Sequence, residues 1–240
     1  MNFKILTTDE LINYIKNFKF TRKFSEYQIH HCWKPEHKDF NGNNGIQLQE
    51  AMKNYHVNNL GWADVGQHLT LLPDGKFVTG RDFNIIPASI SGRNSLCFLA
   101  IEMIGNFDVG HDKLEGEQLN SILKLVNWGV NYYNLGIKGI VFHREYANKS
   151  CPGTGIDKKW FVDKVVNYKE NKEIKEELIN MVIEKWMNDV GITSLDSLVK
   201  NGIINDSNLW NNKMDEKTEN WLLFTMMARL IEKINNKQDK

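Results

Sequence analysis

Three side chains of the kind that bind zinc are spread along the chain: His30, His143 and Cys151. A catalytic zinc site needs three protein ligands, drawn from imidazole nitrogen, thiolate or carboxylate, and a fourth position open to water. His143 ends the apolar run Gly139–His143, and Cys151 follows in a Cys-Pro-Gly loop that is able to fold back toward it. A single histidine on a strand is more often an ordinary buried or half-exposed side chain. The residues alone therefore leave a metal site and a purely structural role both open.

A carboxylate in the middle of an apolar run is the second chemical signal. The run Cys97–Ile104 has the length and apolar density of a buried central strand, and Glu102 lies inside it. Burial of a carboxylate costs free energy. Its presence indicates that something in the molecule requires it.

Strands and helices alternate around these residues. The period-two pattern of Tyr27–Trp33 predicts a strand on which His30 and His31 face opposite sides. The sequence Pro73-Asp-Gly predicts a tight turn between strands at 67–72 and 76–79. Helices are predicted at Asp9–Ile15 with Thr7 or Thr8 as N-cap, at 48–58, and at Leu119–Tyr133 with Gly136 as the C′ residue. The fold class is therefore α/β, a mixed central β-sheet flanked by helices.

The character of the chain changes after about residue 168, where helical patterns continue and no strand pattern is evident. We expect a catalytic domain at 1–168 and a small all-α C-terminal module at 169–240. The helices predicted for this module cover 174–186, Ser194–Lys200 and Thr218–Asn235. Cell-wall binding and dimerisation through these helices are both open as its purpose.

Composition excludes several classes of protein. Thirty basic residues balance thirty acidic ones, so the chain lacks the positive charge of a general nucleic-acid binder. Segment 1–20 mixes charged residues with apolar ones, which predicts neither a signal peptide nor a membrane span, and so a chain that begins in the cytoplasm. Three cysteines in a reducing compartment are expected to remain thiols.

Five segments, in order over roughly residues 25 to 165, carry a resemblance to a known family. They are Ile29-His-His-Cys-Trp33, Gly61-Trp-Ala-Asp-Val-Gly-Gln-His68 with the Leu-Pro-Asp-Gly turn, Val78-Thr-Gly-Arg-Asp82, Ala100-Ile-Glu-Met-Ile-Gly-Asn106, and Phe142-His-Arg-Glu through Lys149-Ser-Cys-Pro-Gly153. The chain resembles the type-2 N-acetylmuramoyl-L-alanine amidases, which include peptidoglycan recognition proteins and amidase-type phage endolysins. The resemblance implies a zinc hydrolase that cuts the amide between N-acetylmuramic acid and L-alanine in bacterial peptidoglycan.

The resemblance also assigns roles to individual residues. It makes His30, His143 and Cys151 the zinc ligands. It makes Glu102 the general base, and it makes Lys149 the cation that stabilises the oxyanion.

The candidate substrate-binding residues are Trp33, Gln67, His68 and Asn106. Some relatives carry Tyr where this chain has Gln67. A glutamine is able to donate a hydrogen bond, but it cannot supply the phenol proton of a tyrosine. We expect a structural role for His31 and a packing role for the Cys32 thiol.

With no export signal evident, the resemblance favours a phage or prophage endolysin that reaches the wall after the host membrane is breached. A cytoplasmic amidase that recycles soluble muropeptides is the enzymatic alternative. A non-catalytic peptidoglycan-binding protein is the alternative from another class, although Cys151, Glu102 and Lys149 argue against it. Neither nucleic acid nor membrane is an expected partner.

Overall fold

The computed structural model describes residues 3–169 and 196–202. Contacts between Cα atoms divide the chain into two units, Met1–Tyr168 and Lys169–Lys240. In the second, residues 196–200 are helical, within the predicted Ser194–Lys200 helix. The helices predicted at 174–186 and 218–235 lie outside the described residues.

A mixed sheet of six strands forms the centre of the first unit, as the sequence predicts. Its strands are β1 (Ile5–Leu6), β2 (Glu26–His31), β3 (Leu69–Leu71), β4 (Phe77–Thr79), β5 (Cys97–Met103) and β6 (Ile140–Phe142). The strand order is β1-β4-β3-β5-β2-β6. The pairs β3–β5, β5–β2 and β2–β6 are parallel, whereas β1–β4 and the predicted β3–β4 hairpin are antiparallel.

Four helices accompany the sheet: α1 (Thr8–Lys16), α2 (Gly45–Asn58), α3 (Gly116–Tyr132) and α4 (Lys158–Val166). Thr7 caps α1 as predicted, because its hydroxyl accepts from the Glu10 N–H while the Glu10 carboxylate accepts from the Thr7 N–H. Within 3–169 and 196–202, every helix falls short of the length and apolar character that a bilayer-spanning segment requires.

The two faces of the sheet differ in chemistry. Side chains of Ile29, Leu69 and Ile101 belong to the main hydrophobic core, which also contains buried residues of α1, α3 and α4. Because side chains alternate along a strand, the intervening residues point to the opposite face. There the register places Thr70 beside Glu102 and Glu102 beside His30 across three neighbouring strands. We call Thr70, Glu102 and His30 the polar row.

The end of α3 differs from the prediction. The helix ends at Tyr132, and Asn134, with φ of 52°, is the first residue behind it with a positive φ, two residues before Gly136, whose φ is 68°. The Leu135 N–H donates to the Val130 carbonyl at 3.0 Å, which satisfies one of the free carbonyls of the last turn. Asparagine tolerates positive φ better than most residues, so the chain leaves the helix before Gly136.

His68 directly precedes β3 and is completely buried. Its Nδ1 accepts from the Ala100 N–H at 3.1 Å, and its Nε2 lies 2.9 Å from the Ile85 carbonyl. These partners fix a neutral imidazole that carries its proton on Nε2. Burial lowers the pKa of His68 to about 3, and the hydrogen bond to Ile85 opposes this only in part.

We therefore expect an acid-dependent loss of stability that depends on His68. An unfolded histidine titrates near pH 6.5, so this contribution is fully present above that pH and is lost as pH falls toward about 3. The slope reaches at most about 1.4 kcal/mol per pH unit. His68→Gln, which keeps one donor and one acceptor without a titrating group, should give a flatter curve of unfolding free energy, measured by urea denaturation, between pH 6.5 and 4. Parallel curves for the two proteins would contradict this assignment.

Candidate metal centre

The parallel strands bring two histidines and a carboxylate to one edge of the sheet. His30 lies near the carboxyl end of β2, Glu102 lies near the carboxyl end of β5, and His143 directly follows β6. Parallel strands end at the same edge, which is where open α/β sheets place their sites. Residues far apart in the chain are therefore neighbours in space.

Cys151 completes a group that can hold a metal ion. The Nδ1 atoms of His30 and His143 are 3.1 Å apart, and the Cys151 Sγ is 3.5 Å from the His30 Nδ1. One nitrogen or sulfur atom from each of the three residues lies within 4.8 Å of the others. The convergence that the sequence predicts for these three side chains is present.

The electrostatic surroundings keep both imidazoles neutral. Burial, and then the proximity of His143, hold the pKa of His30 well below its usual value. Burial and the nearby Lys149 ammonium lower the pKa of His143 to about 4. Burial raises the pKa of the Cys151 thiol, and Glu102 raises it further. Neutral imidazoles offer lone pairs to a cation, and the binding of a cation is what drives such a thiol to release its proton.

The loop that carries Cys151 is held by Arg144. Its guanidinium donates to the carbonyls of Gly153 at 2.7 Å and Ile156 at 2.5 Å, and its main-chain N–H donates to the Cys151 carbonyl at 2.8 Å. Gly153 has a φ of 118°, and an added Cβ would lie 2.4 Å from the Phe107 carbonyl oxygen. Only glycine allows this close approach, which brings the loop back over the edge of the sheet.

Glu102 and Lys149 both line the cleft that contains the metal-binding group. Burial raises the pKa of Glu102 to about 8, and the positive charge of Lys149 opposes that shift. A carboxylate with a pKa near neutrality is suited to taking up and releasing a proton in one reaction cycle.

The cleft has a volume of about 860 Å³, and its walls come from five segments of the chain, within 30–33, 56–67, 88–94, 102 and 143–151. Trp33 lines it with 56% of its surface exposed, and Gln67 lines it although only 3% of its surface is exposed. His31 and Cys32 also border it. The His31 Nδ1 accepts from the Phe107 N–H, while the Cys32 sulfur packs 3.6 Å from the Met52 sulfur.

Two predicted substrate-binding residues lie elsewhere. His68 is enclosed between strands with both ring nitrogens bonded to the main chain, so it has no atom free for a substrate. Asn106 is also buried, and its Oδ1 accepts from the Asp108 N–H within a turn. Both belong to segments that carry the family resemblance, but their side chains serve the backbone. The structure therefore places neither of these two side chains in the lining of the cleft.

Other residues that the sequence did not single out form part of the cleft wall. His56 borders it, with Nδ1 accepting from the Gly66 N–H and its ring 4.7 Å from that of Trp62. Tyr146 borders it on the other side, with the Arg93 guanidinium 4.3 Å above its ring. Tyr146 is three residues beyond His143 on the same loop, and that proximity was an available signal. His56 has no spacing signal of any kind.

Comparison with known proteins adds curated relatives and solved structures. The chain is 32% identical to peptidoglycan-recognition protein SC1a of Drosophila melanogaster over 108 residues, which are 45% of this chain and 57% of that protein. It is 28% identical to the endolysin of Escherichia phage T7 over 111 residues, which are 44% of this chain and 70% of that protein. The alignment thus spans little more than half the length of the recognition protein.

The fold has a counterpart among solved structures. A mutant of Drosophila PGRP-LB, solved in complex with tracheal cytotoxin, superposes with a TM-score of 0.50 at 22% identity, covering 64% of this chain and 86% of that one. The family model for N-acetylmuramoyl-L-alanine amidase matches residues 22–154, which is more than half of the chain and includes the metal-binding group and the cleft. The chain belongs to the N-acetylmuramoyl-L-alanine amidase family.

Proposed function

We propose that the protein hydrolyses the amide between N-acetylmuramic acid and L-alanine in bacterial peptidoglycan, with zinc as its cofactor. The observation that carries the proposal is the convergence of His30, His143 and Cys151 in the same cleft as Glu102 and Lys149. A protein that only recognised peptidoglycan would have no use for a buried carboxylate beside a set of metal ligands.

The donor set and its spacing fit zinc. Two imidazoles and one thiolate are a known catalytic ligand combination, and zinc bonds of about 2.0 Å to nitrogen and 2.3 Å to sulfur place tetrahedral ligand atoms about 3.3 to 3.6 Å apart. The two separations from the His30 Nδ1, 3.1 Å to His143 and 3.5 Å to Cys151, are close to these values, and all three ligand atoms lie within 4.8 Å of one another. A zinc ion held there supplies Lewis-acid polarisation of the scissile carbonyl and acidifies nearby water.

The residues of the chain itself supply proton transfer and charge. Glu102 takes the proton of the attacking water and passes it to the leaving nitrogen as the carbon–nitrogen bond breaks. The Lys149 ammonium faces the carbonyl oxygen and stabilises the negative charge that develops on it. Trp33, at the rim of the cleft, offers an exposed aromatic surface to sugar or peptide.

An endolysin role is the biological form of this proposal, supported by the 28% identity to the T7 endolysin. The substrate is then intact wall, reached once the host membrane is breached. An amidase that recycles soluble muropeptides would share the chemistry and differ only in substrate. We further propose that 169–240 is a module that holds the enzyme on the wall, because tethering raises the effective concentration of substrate.

We expect Cys151→Ser to abolish both zinc binding and wall hydrolysis. Loss of a residue that only hydrogen-bonds to a zinc ligand lowers metal affinity by about 10- to 100-fold. Loss of a ligand itself should lower the affinity by more than this. Cys32→Ser is the matched control, since it replaces a thiol of the same cleft that is not in the ligand group. The measurements are zinc per chain and the clearing of purified sacculi. Equal zinc content in the two variants, or clearing that survives a chelator, would rule out the proposed centre.

Removing the charge of Glu102 or of Lys149 should lower turnover and leave the zinc content unchanged. Glu102→Gln and Lys149→Met are each expected to lower kcat by about 100-fold or more, through loss of the general base and of oxyanion stabilisation. Lys149→Arg keeps the positive charge and should retain more activity than Lys149→Met. Zinc content and kcat are measured on the same samples. A variant that loses metal in proportion to activity would show that its residue serves the metal instead.

A chain ended after Tyr168 should keep its activity on soluble muropeptide and lose affinity for sacculi. The division of contacts at this residue supports the choice of end point. Co-sedimentation with sacculi and hydrolysis of soluble substrate are compared with those of the full chain. Unchanged co-sedimentation, together with a change from dimer to monomer in light scattering, would favour dimerisation over wall binding as the purpose of 169–240.

A further inference from the structure

A chain of buried hydrogen bonds runs beneath the cleft and ends at Gln67. The Gln49 Nε2 lies 3.5 Å from the Thr79 carbonyl, and the Thr70 hydroxyl lies 2.5 Å from the Gln49 Oε1. The Gln67 Nε2 lies 2.8 Å from the Thr70 Oγ1. Gln49 and Thr70 are completely buried, so this chain is a fixed part of the interior.

The partner at the inner end of this hydrogen-bond series determines which group donates and which accepts along the whole series. The Thr79 carbonyl only accepts, which calls for the amide nitrogen of Gln49 at that point and turns the Gln49 oxygen toward Thr70. The Thr70 hydroxyl must then donate to Gln49, so its oxygen is left to accept from Gln67. The Met52 sulfur, 3.9 Å from the Gln67 Nε2, is a second acceptor on that side. Reversing any one amide would set acceptor against acceptor or donor against donor.

This direction leaves the Gln67 Oε1 for the cleft. Among the described residues that oxygen has no hydrogen-bond partner, and it is not an enclosed unsatisfied atom either, so it meets the open space that Gln67 lines. The same cleft surface includes Glu102, which pairs with Thr70 in the register of the sheet. Gln67 is able to donate a hydrogen bond, but the atom that it turns toward the cleft is an acceptor.

We infer that Gln67 is a substrate-positioning residue whose fixed carbonyl oxygen accepts the N–H of the scissile amide and selects amides over esters. The inference rests on the proposed amidase function. In the reaction a water oxygen bonds to the carbonyl carbon, and the carbon–nitrogen bond breaks. One water proton passes through Glu102 to the nitrogen, which leaves as the amine. As the nitrogen gains that proton its N–H groups become stronger donors, so the bond to Gln67 strengthens toward the transition state.

The test compares N-acetylmuramoyl-L-alanine with its ester analogue N-acetylmuramoyl-L-lactate, in which oxygen replaces the alanine nitrogen. Gln67→Met keeps the length of the side chain and removes the acceptor. We expect it to lower kcat/KM for the amide by roughly 3- to 10-fold, the range for one neutral hydrogen bond. Hydrolysis of the ester should be unchanged or faster, since the ester has no N–H to offer. Equal losses on both substrates would overturn the inference, because a residue that only shapes the cleft affects both alike.

A second test alters the buried hydrogen bonds that orient Gln67, at a residue that does not face the substrate. Thr70→Val removes the hydroxyl that orients Gln67 and keeps the shape, so it should shift the amide-to-ester ratio in the same direction as Gln67→Met. Thr70→Ser retains the hydroxyl and should keep the wild-type ratio. An unchanged ratio in Thr70→Val, with folding confirmed by thermal unfolding, would show that these hydrogen bonds do not hold Gln67.

Failure of the proposed function has a different signature. If the wild-type protein cleaves neither substrate, the amidase proposal falls and the role of Gln67 falls with it. If the wild type cleaves both and Gln67→Met leaves the amide-to-ester ratio unchanged, the amidase proposal stands and only the role of Gln67 is removed.

Discussion

The alternation of side chains across three parallel strands is the constraint on which the site depends. On one face of β3, β5 and β2, Leu69, Ile101 and Ile29 join the main core, so the polar row of Thr70, Glu102 and His30 lies on the other face. A register shift of one residue would place a carboxylate and an imidazole inside that core, at a cost of several kcal/mol for each unpaired group. The free energy that folds the sheet therefore also fixes the reactive groups.

The metal-binding group depends on a second constraint, because Cys151 comes from a loop and not from the sheet. Four carbonyls between Ser150 and Ile156 accept hydrogen bonds from Arg144, and Gly153 permits the close approach of the loop to Phe107. The loop is thus held by the protein before any cation binds. Pre-organisation of this kind lowers the conformational entropy that metal binding would otherwise have to overcome.

Local signals in the sequence predicted much of this arrangement. The features that the sequence did not predict share a physical cause. A period-two pattern located β2, a continuous apolar run located β5, and the Pro73-Asp-Gly turn located the hairpin, because each signal depends on residues close in the chain. His68 and Asn106 lie outside the cleft lining, which the motif could not show because it gives the identity of a side chain but not its partners. The wall formed by His56 and Tyr146 exists only through tertiary packing, and Gly136 lost its expected role to a residue two positions earlier.

The distribution of donors and acceptors around the cleft is complementary to a secondary amide. In the proposed reaction, Lys149 would bring positive charge to the carbonyl oxygen that gains negative charge, whereas Glu102 and the outward oxygen of Gln67 would serve as acceptors on the nitrogen side. A secondary amide has one strong acceptor, its carbonyl oxygen, and one donor, its N–H, at fixed positions. The proposed arrangement would bind both of these groups at the same time. The buried bonds from Thr79 to Gln67 then explain how a flexible amide side chain serves as a directional group. Its orientation is determined in the interior, by a carbonyl on the far side of Gln49 that never meets the substrate.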